Sequence, residues 1–270
     1  MHAEFTPDLS GHSLLAVFAH PDDESLACGG LLARCSEQGA RVALLCFTRG
    51  EHGPGPDRER LIDARPRELQ EAARVLGIQD VVLLEHEDGM LPWIDPATLE
   101  RDIRDAIQRF EPDVVVTFDE DGLYWHPDHV TLHDRVTSVV AGLGAAAPAL
   151  RYVSVPEGVM RDVVEAAAHD AGCHGSRSAP ILGIEDADAF GSGAPAPDLI
   201  VEAGSCAARK VTALRSHRSQ VAGTALDCLD ESLAARLLGT EHYRRAKVGA
   251  TGTAFSDCLA TPVAASRRQT

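Results

Sequence analysis

The sequence lacks any apolar run near the roughly 20 residues needed to span a bilayer, and no basic-then-apolar leader opens it. Both absences predict a soluble, cytoplasmic chain without a transmembrane segment. Its seven cysteines are odd in number and none is spaced as Cys-x-x-Cys, so neither a disulfide framework nor a cysteine zinc site is expected. Cations are scarce: 25 Lys and Arg stand against 41 Asp and Glu, a net charge of −16. A broad phosphate-backbone interface needs clustered cations, so nucleic acid is not an expected partner. No Gly-x-Gly-x-x-Gly follows the first apolar run, which argues against a dinucleotide site.

What is present is globular. The 270 residues are 44% hydrophobic and 24% charged, enough to bury one substantial core. Apolar runs at Leu14–Ala19, Val42–Phe47, Val81–Leu84 and Val114–Phe118 read as buried strands. They alternate with helical patterns at Leu26–Gln38, Arg58–Leu76 and Pro96–Phe110, the first two stopped by Gly39 and Gly77. Such alternation predicts an α/β fold, a Rossmann-like, mostly parallel sheet with helices on both faces and ligands at the carboxyl ends of the strands.

Further on, a helix over Pro127–Leu143, strands at Tyr152–Val155 and Leu199–Glu202, and helices over Ala207–Ser216 and Asp230–Leu238 are expected. The Gly- and Pro-rich stretch Gly172–Pro197 reads as a long loop over the substrate, and the tail beyond Thr251 carries little periodicity. The whole is taken as one domain. Residues 1–150 form the metal-binding core, and 151–270 complete the pocket.

Two short clusters carry chemistry. His20-Pro21-Asp22-Asp23-Glu24 follows the first strand, and Asp119 to His129, ending His126-Pro127-Asp128-His129, follows the fourth. Both therefore fall where an open α/β sheet binds ligands. His20, Asp23 and His129 make a two-histidine, one-carboxylate set with a fourth position open for water, the pattern of a catalytic zinc. Fe2+ and Mn2+ also suit such a set. Asp22, beside the ligands, is the candidate general base. His126 is free to stabilise an oxyanion or protonate a departing amine, with Asp128 to orient it, although it also reads as an alternative ligand. Glu24 supports the metal or its surroundings, and His133 is a fallback ligand.

These two motifs resemble the zinc-dependent LmbE-like (PIG-L) de-N-acetylases, related to the deacetylase of N-acetylglucosaminyl-phosphatidylinositol synthesis. The resemblance runs over residues 14–220 and implies that His20, Asp23 and His129 bind metal, Asp22 is the base and His126 the oxyanion or acid histidine. It implies substrate contacts from Arg65, in Arg65-x-x-Glu68-Leu69, from Asp88 and Tyr124, and from His217 in the late His-x-Ser-Gln segment. Plainer roles stand beside these: a helix-surface pair for Arg65 and Glu68, a turn for Asp88, wall packing for Tyr124 and a helix cap for His217. The implied activity is removal of an N-acyl group from an amino-sugar-like small molecule. Cleavage at another amide or ester bond, and a non-catalytic metal- or sugar-binding module, are the alternatives. Arg49, where the family often has a small or acidic residue, either meets a substrate anion or pairs with a carboxylate. A homo-oligomer remains open.

Overall fold

The computed structural model describes residues 8–55, 57–169, 181–251 and 261–262. The first half alternates β1 (Ser13–Phe18), α1 (Asp23–Glu37), β2 (Arg41–Thr48), α2 (Arg58–Leu76), β3 (Asp80–His86), α3 (Pro96–Phe110) and β4 (Val114–Phe118). A single turn, α4 (Gly122–Trp125), then leads into α5 (Pro127–Gly142), β5 (Ala149–Ser154) and α6 (Val159–His169). The second half holds β6 (Leu199–Glu202), α7 (Ala207–Ser216), the short α8 (Arg218–Val221) and α9 (Ala225–Cys228), α10 (Glu231–Leu238), β7 (Thr240–Gly249) and β8 (Thr261–Pro262).

The strands form one sheet in the order β3-β2-β1-β4-β5-β7-β6-β8. β3 to β5 run parallel, whereas β7 is antiparallel to both β5 and β6, and β8 is antiparallel to β6. The apolar runs of β1 and β4 are the central strands because both faces are covered: Leu14 to Phe18 and Val114 to Phe118 are all buried. Helices α1, α2 and α7 pack on one another, as do α3 and α5. The chain leaves β1 toward β2 and β3, then returns across β1 to β4. That reversal opens a crevice between the carboxyl ends of β1 and β4, the place where such sheets receive ligands.

The expected strands and helices appear with shifts of a few residues at their ends, while α6 and β7 were not read from the sequence. β7 escapes a hydrophobic pattern because its inward side chains include Glu241, beside Tyr243, between flanking charges. Within Gly172–Pro197, residues 172–180 lie outside the described set, and Ile181 and Ile184 pair across a tight turn. The tail beyond Thr251 also lies outside it apart from Thr261–Pro262.

Helix α1 is broken at Cys28, whose φ/ψ of −143°/20° interrupts the hydrogen-bond ladder. The N–H groups of Gly30 and Leu31 find a cap from across the molecule. Glu241 accepts from both, at 2.7 and 2.8 Å, and also from Tyr243 Oη (2.7 Å) and Lys210 Nζ (2.8 Å). A buried carboxylate is tolerable only when so fully paired.

Candidate active site

His20 stands two residues beyond Phe18, the last residue of β1, and the chain turns sharply there. Asp22 adopts φ 123°, a conformation that side chains rarely take, and this turns its backbone into the start of α1. Asp23, in the first turn, reaches back so that Oδ2 accepts from the His20 backbone N–H at 2.7 Å. His129 enters from the first turns of α5, which Pro127 begins without leaving a stranded N–H.

Three donor groups converge. His20 Nδ1 and His129 Nε2 lie 3.0 Å apart, and the Asp23 carboxylate is 3.4 Å from each. Ligand atoms around a tetrahedral zinc with bonds of about 2.0–2.1 Å sit about 3.3 Å from one another, so the spacing fits. The tautomers fit as well. His129 Nδ1 donates to the Gly122 carbonyl at 3.0 Å, leaving Nε2 as an acceptor that faces His20 Nδ1. His20 Nε2 donates toward Asp88 Oδ1 (3.0 Å) and Asp128 Oδ2 (3.2 Å), so Nδ1, which faces His129, is the nitrogen that would turn to a metal on giving up its proton. Both rings thus carry the carboxylate or carbonyl support usual for metal-binding histidines.

Gly122 makes this possible. Its φ is +52° and a Cβ there would lie 2.9 Å from the His129 Cβ. Only glycine allows the loop to approach the ring so closely.

Charge agrees with geometry. Burial lowers the His129 pKa to about 3, so the ring is neutral. Burial opposes a charge on His20 too, but hydrogen bonds to Asp128, Asp23 and Asp88 outweigh it and hold its pKa well above the ordinary range. The same ring of carboxylates would attract a divalent cation. His126 brings a further nitrogen within 4.8 Å of those of His20 and His129. Its Nδ1 accepts from the Asp128 N–H at 3.2 Å, so the neutral ring presents Nε2–H; burial and then the His20 charge lower its pKa.

Asp22 is buried against Arg65, with Oδ2 accepting from Nη2 at 2.9 Å. Burial pushes the carboxyl up to about 7, with Arg65 pulling the other way. Arg65 also donates to the Pro21 carbonyl (2.5 Å) and, through Nη1, to that of Gly50 (2.7 Å). At Gly50, φ is +67° and any Cβ would collide with the guanidinium. Arg65 is therefore a buried clamp on the turn that carries Asp22, as well as part of the cavity wall.

Above these groups opens a cavity of about 390 Å3, within the range of small-molecule sites. His20, Asp22, Arg65, Asp88, Tyr124 and His126 line it. Tyr124 packs on the rings of His129 and Phe190, with centroids 5.3 and 4.9 Å away. Asp88 is held well below the usual carboxylate range: burial raises it, but the His20 bond and charge prevail.

Other residues sit behind the wall. The Asp128 side chain does not orient His126; it accepts from Gly89 N–H (2.8 Å) and Leu91 N–H (3.1 Å) as well as from His20. His217 is buried outside the cavity lining, its Nε2 2.8 Å from Glu24 Oε1, while Glu24 Oε2 accepts from the Asp22 N–H at 3.1 Å. Glu68 is no surface partner of Arg65. It accepts from Ser219 N–H and Oγ at 2.9 and 2.6 Å, pinning the segment after His217. His133 turns to the Phe118 carbonyl, Arg49 pairs with Glu85, and Arg244 of β7 grips Asp119.

His52, Gly53 and Pro54 after β2, Gly89, Leu182 to Ile184 and Gln220 complete the lining, Leu182 to Ile184 falling within the Gly172–Pro197 stretch expected over the substrate. The carboxyl-end rule, applied to β2 as it was to β1 and β4, points to His52, and Gln220 closes the late His-x-Ser-Gln segment.

Comparison with known proteins bears on the reaction. Residues 15–140 match the GlcNAc-PI de-N-acetylase (PIG-L) family. The 1D-myo-inositol 2-acetamido-2-deoxy-alpha-D-glucopyranoside deacetylase of Geodermatophilus obscurus is 32% identical over 284 residues, covering 89% of this chain and 94% of that protein. Its namesake in Acidothermus cellulolyticus is 30% identical, covering 86% and 87%. Among solved structures, the N,N'-diacetylchitobiose deacetylase of Pyrococcus horikoshii superposes with a TM-score of 0.59 at 19% identity, over 87% of this chain and 83% of that one. The 4-carboxy-2-hydroxymuconate hydratase GalB of Pseudomonas putida superposes equally well, 0.59 at 18% identity, over 90% and 99%. The fold alone therefore does not select the reaction. The sequence relatives are the stronger guide, and by them this chain belongs to the PIG-L family of GlcNAc-PI de-N-acetylases.

Proposed function

We propose that the protein hydrolyses the acetamido group of a 2-acetamido-2-deoxyglucopyranoside conjugate, releasing acetate and a free amine, with one divalent metal, zinc, held by His20, Asp23 and His129. The observation that carries the reading is the convergence of two imidazole nitrogens and a carboxylate beside the buried Asp22 on the floor of a cavity. The two relatives' names supply the substrate class.

A divalent ion bound there would supply Lewis acidity, making water nucleophilic near neutral pH and polarising the acyl oxygen. Asp22 accepts the proton of the attacking water and returns it to the amine nitrogen as the C–N bond breaks, while Arg65 fixes the carboxylate in place and favours its ionised form. His126 offers Nε2–H to the oxyanion that develops on the acyl carbon. Tyr124 and the Leu182 to Ile184 segment wall the sugar away from bulk water.

The test is amine release from N-acetylglucosamine conjugates by the metal-reconstituted protein, with Asp22→Asn beside it. Release by the wild type and none by a variant that still binds one metal per chain is the expected result. A fully metal-loaded wild type that releases no amine from any conjugate would instead mark a binding module.

A further inference from the structure

The exposed large hydrophobic side chains among the described residues are Met90, Trp93 and Trp125. All three lie in the connections that follow the carboxyl ends of β3 and β4, Trp93 in a short 3-10 turn and Trp125 at the end of α4. Asp128 joins those loops by accepting from Gly89 and Leu91, on either side of Met90. Trp125 is the most telling. It lies between Tyr124 and His126, which both line the cavity, yet it faces outward and is 55% exposed.

Its backbone is strained, with φ at +64°, where glycine would sit without penalty. A bulky ring kept in that conformation, half in water, gains little from burial. The indole is nonetheless fixed in direction: Nε1 donates to the Ser192 carbonyl at 2.8 Å and the ring edge is built against Gly193. A flat, wetted, pre-oriented aromatic face beside the cavity is suited to stacking on a ring.

Resting on the deacetylase reading above, we propose that Trp125 is a specificity-determining platform for the aglycone: the amino sugar enters the cavity and a ring-shaped group on its anomeric carbon lies flat against the indole outside. The substrate class is thus a glucosaminide whose aglycone is a ring with an apolar face, in preference to a small or open-chain substituent.

The experiment compares kcat/KM for the phenyl and methyl α-glycosides of N-acetylglucosamine in the wild type, Trp125→Gly and Trp125→Phe. The ratio of the two substrates within one protein cancels any general damage to the neighbouring His126. The wild type should favour the phenyl glycoside by roughly five- to tenfold. Trp125→Gly, which suits the positive φ, should bring the ratio near one, and Trp125→Phe should restore most of it. A wild-type ratio near one, or a ratio unchanged in Trp125→Gly, overturns the proposal while leaving the deacetylase reading intact. If neither glycoside releases amine, calorimetric affinities for the same pair read the platform separately from turnover: a phenyl preference lost in Trp125→Gly upholds it, and equal affinities overturn it.

Discussion

Replacing Glu241 by glutamine tests whether a residue more than 200 positions downstream holds together α1, the helix that begins at Asp23. Each carboxylate oxygen accepts two bonds: Oε1 from Gly30 N–H and Lys210 Nζ, Oε2 from Leu31 N–H and Tyr243 Oη. A glutamine keeps one acceptor oxygen and turns an NH2 toward groups that are themselves donors. It also strands the Lys210 ammonium, whose side chain is only 4% exposed. Breaking a buried pair from one side costs about 3–5 kcal/mol, a large share of a typical total of about 5–15. For a chain of this size that corresponds to a fall in melting temperature of about 6–20 °C. Urea and thermal unfolding of the metal-free protein provide the assay. The double variant Glu241→Gln with Lys210→Met should recover part of the loss, because no buried charge is then left alone. A single variant within about 1 kcal/mol of wild type, or a double variant no better than the single, would refute the role assigned to Glu241.

Three further outcomes are expected. With Asp22 as the proposed ionised base, turnover should rise with pH as it deprotonates; its carboxyl sits at about 7 here and a bound cation would add to Arg65 in lowering it, so an acid limb centred above pH 8 would exclude Asp22. His126→Ala should retain the metal yet lose about 10²–10³ in kcat, and an equal loss of metal on dialysis would reassign that ring as a ligand. Gly122→Ala should weaken metal affinity by at least about tenfold, the lower end for loss of a supporting contact to a metal-bound histidine, measured by competition with a chelator. Unchanged affinity would mean that the loop can yield without moving His129.

The core strands and the two His-Pro-Asp clusters were legible because each is local: a continuous apolar run, or a motif placed at its end. The pairings that position the site were not. Arg65 meets Asp22 across 43 residues, and nothing local to either announces the other. Asp128 is adjacent to Pro127 and close to His126 in sequence, yet its carboxylate crosses the crevice to His20 and only its N–H serves His126. Helix α1 begins at Asp23, earlier than its apolar pattern at Leu26, because its first turn is occupied by buried polar residues. β7 hides for a similar reason, its inner face being built around a carboxylate.

The partners that β7 and α7 supply also bear on the order of events in synthesis. Glu241 caps helix α1 from 211 residues downstream, Arg244 grips Asp119 from 125 residues downstream, and His217 reaches Glu24 across 193. A chain made from its N-terminus displays both His-Pro-Asp clusters long before any of these arrive. Contacts so distant in sequence carry a loop-closure cost and form late. The nascent first half therefore presents loosely arranged acidic and imidazole groups, and the proposed metal-binding arrangement is complete only once β7 has docked.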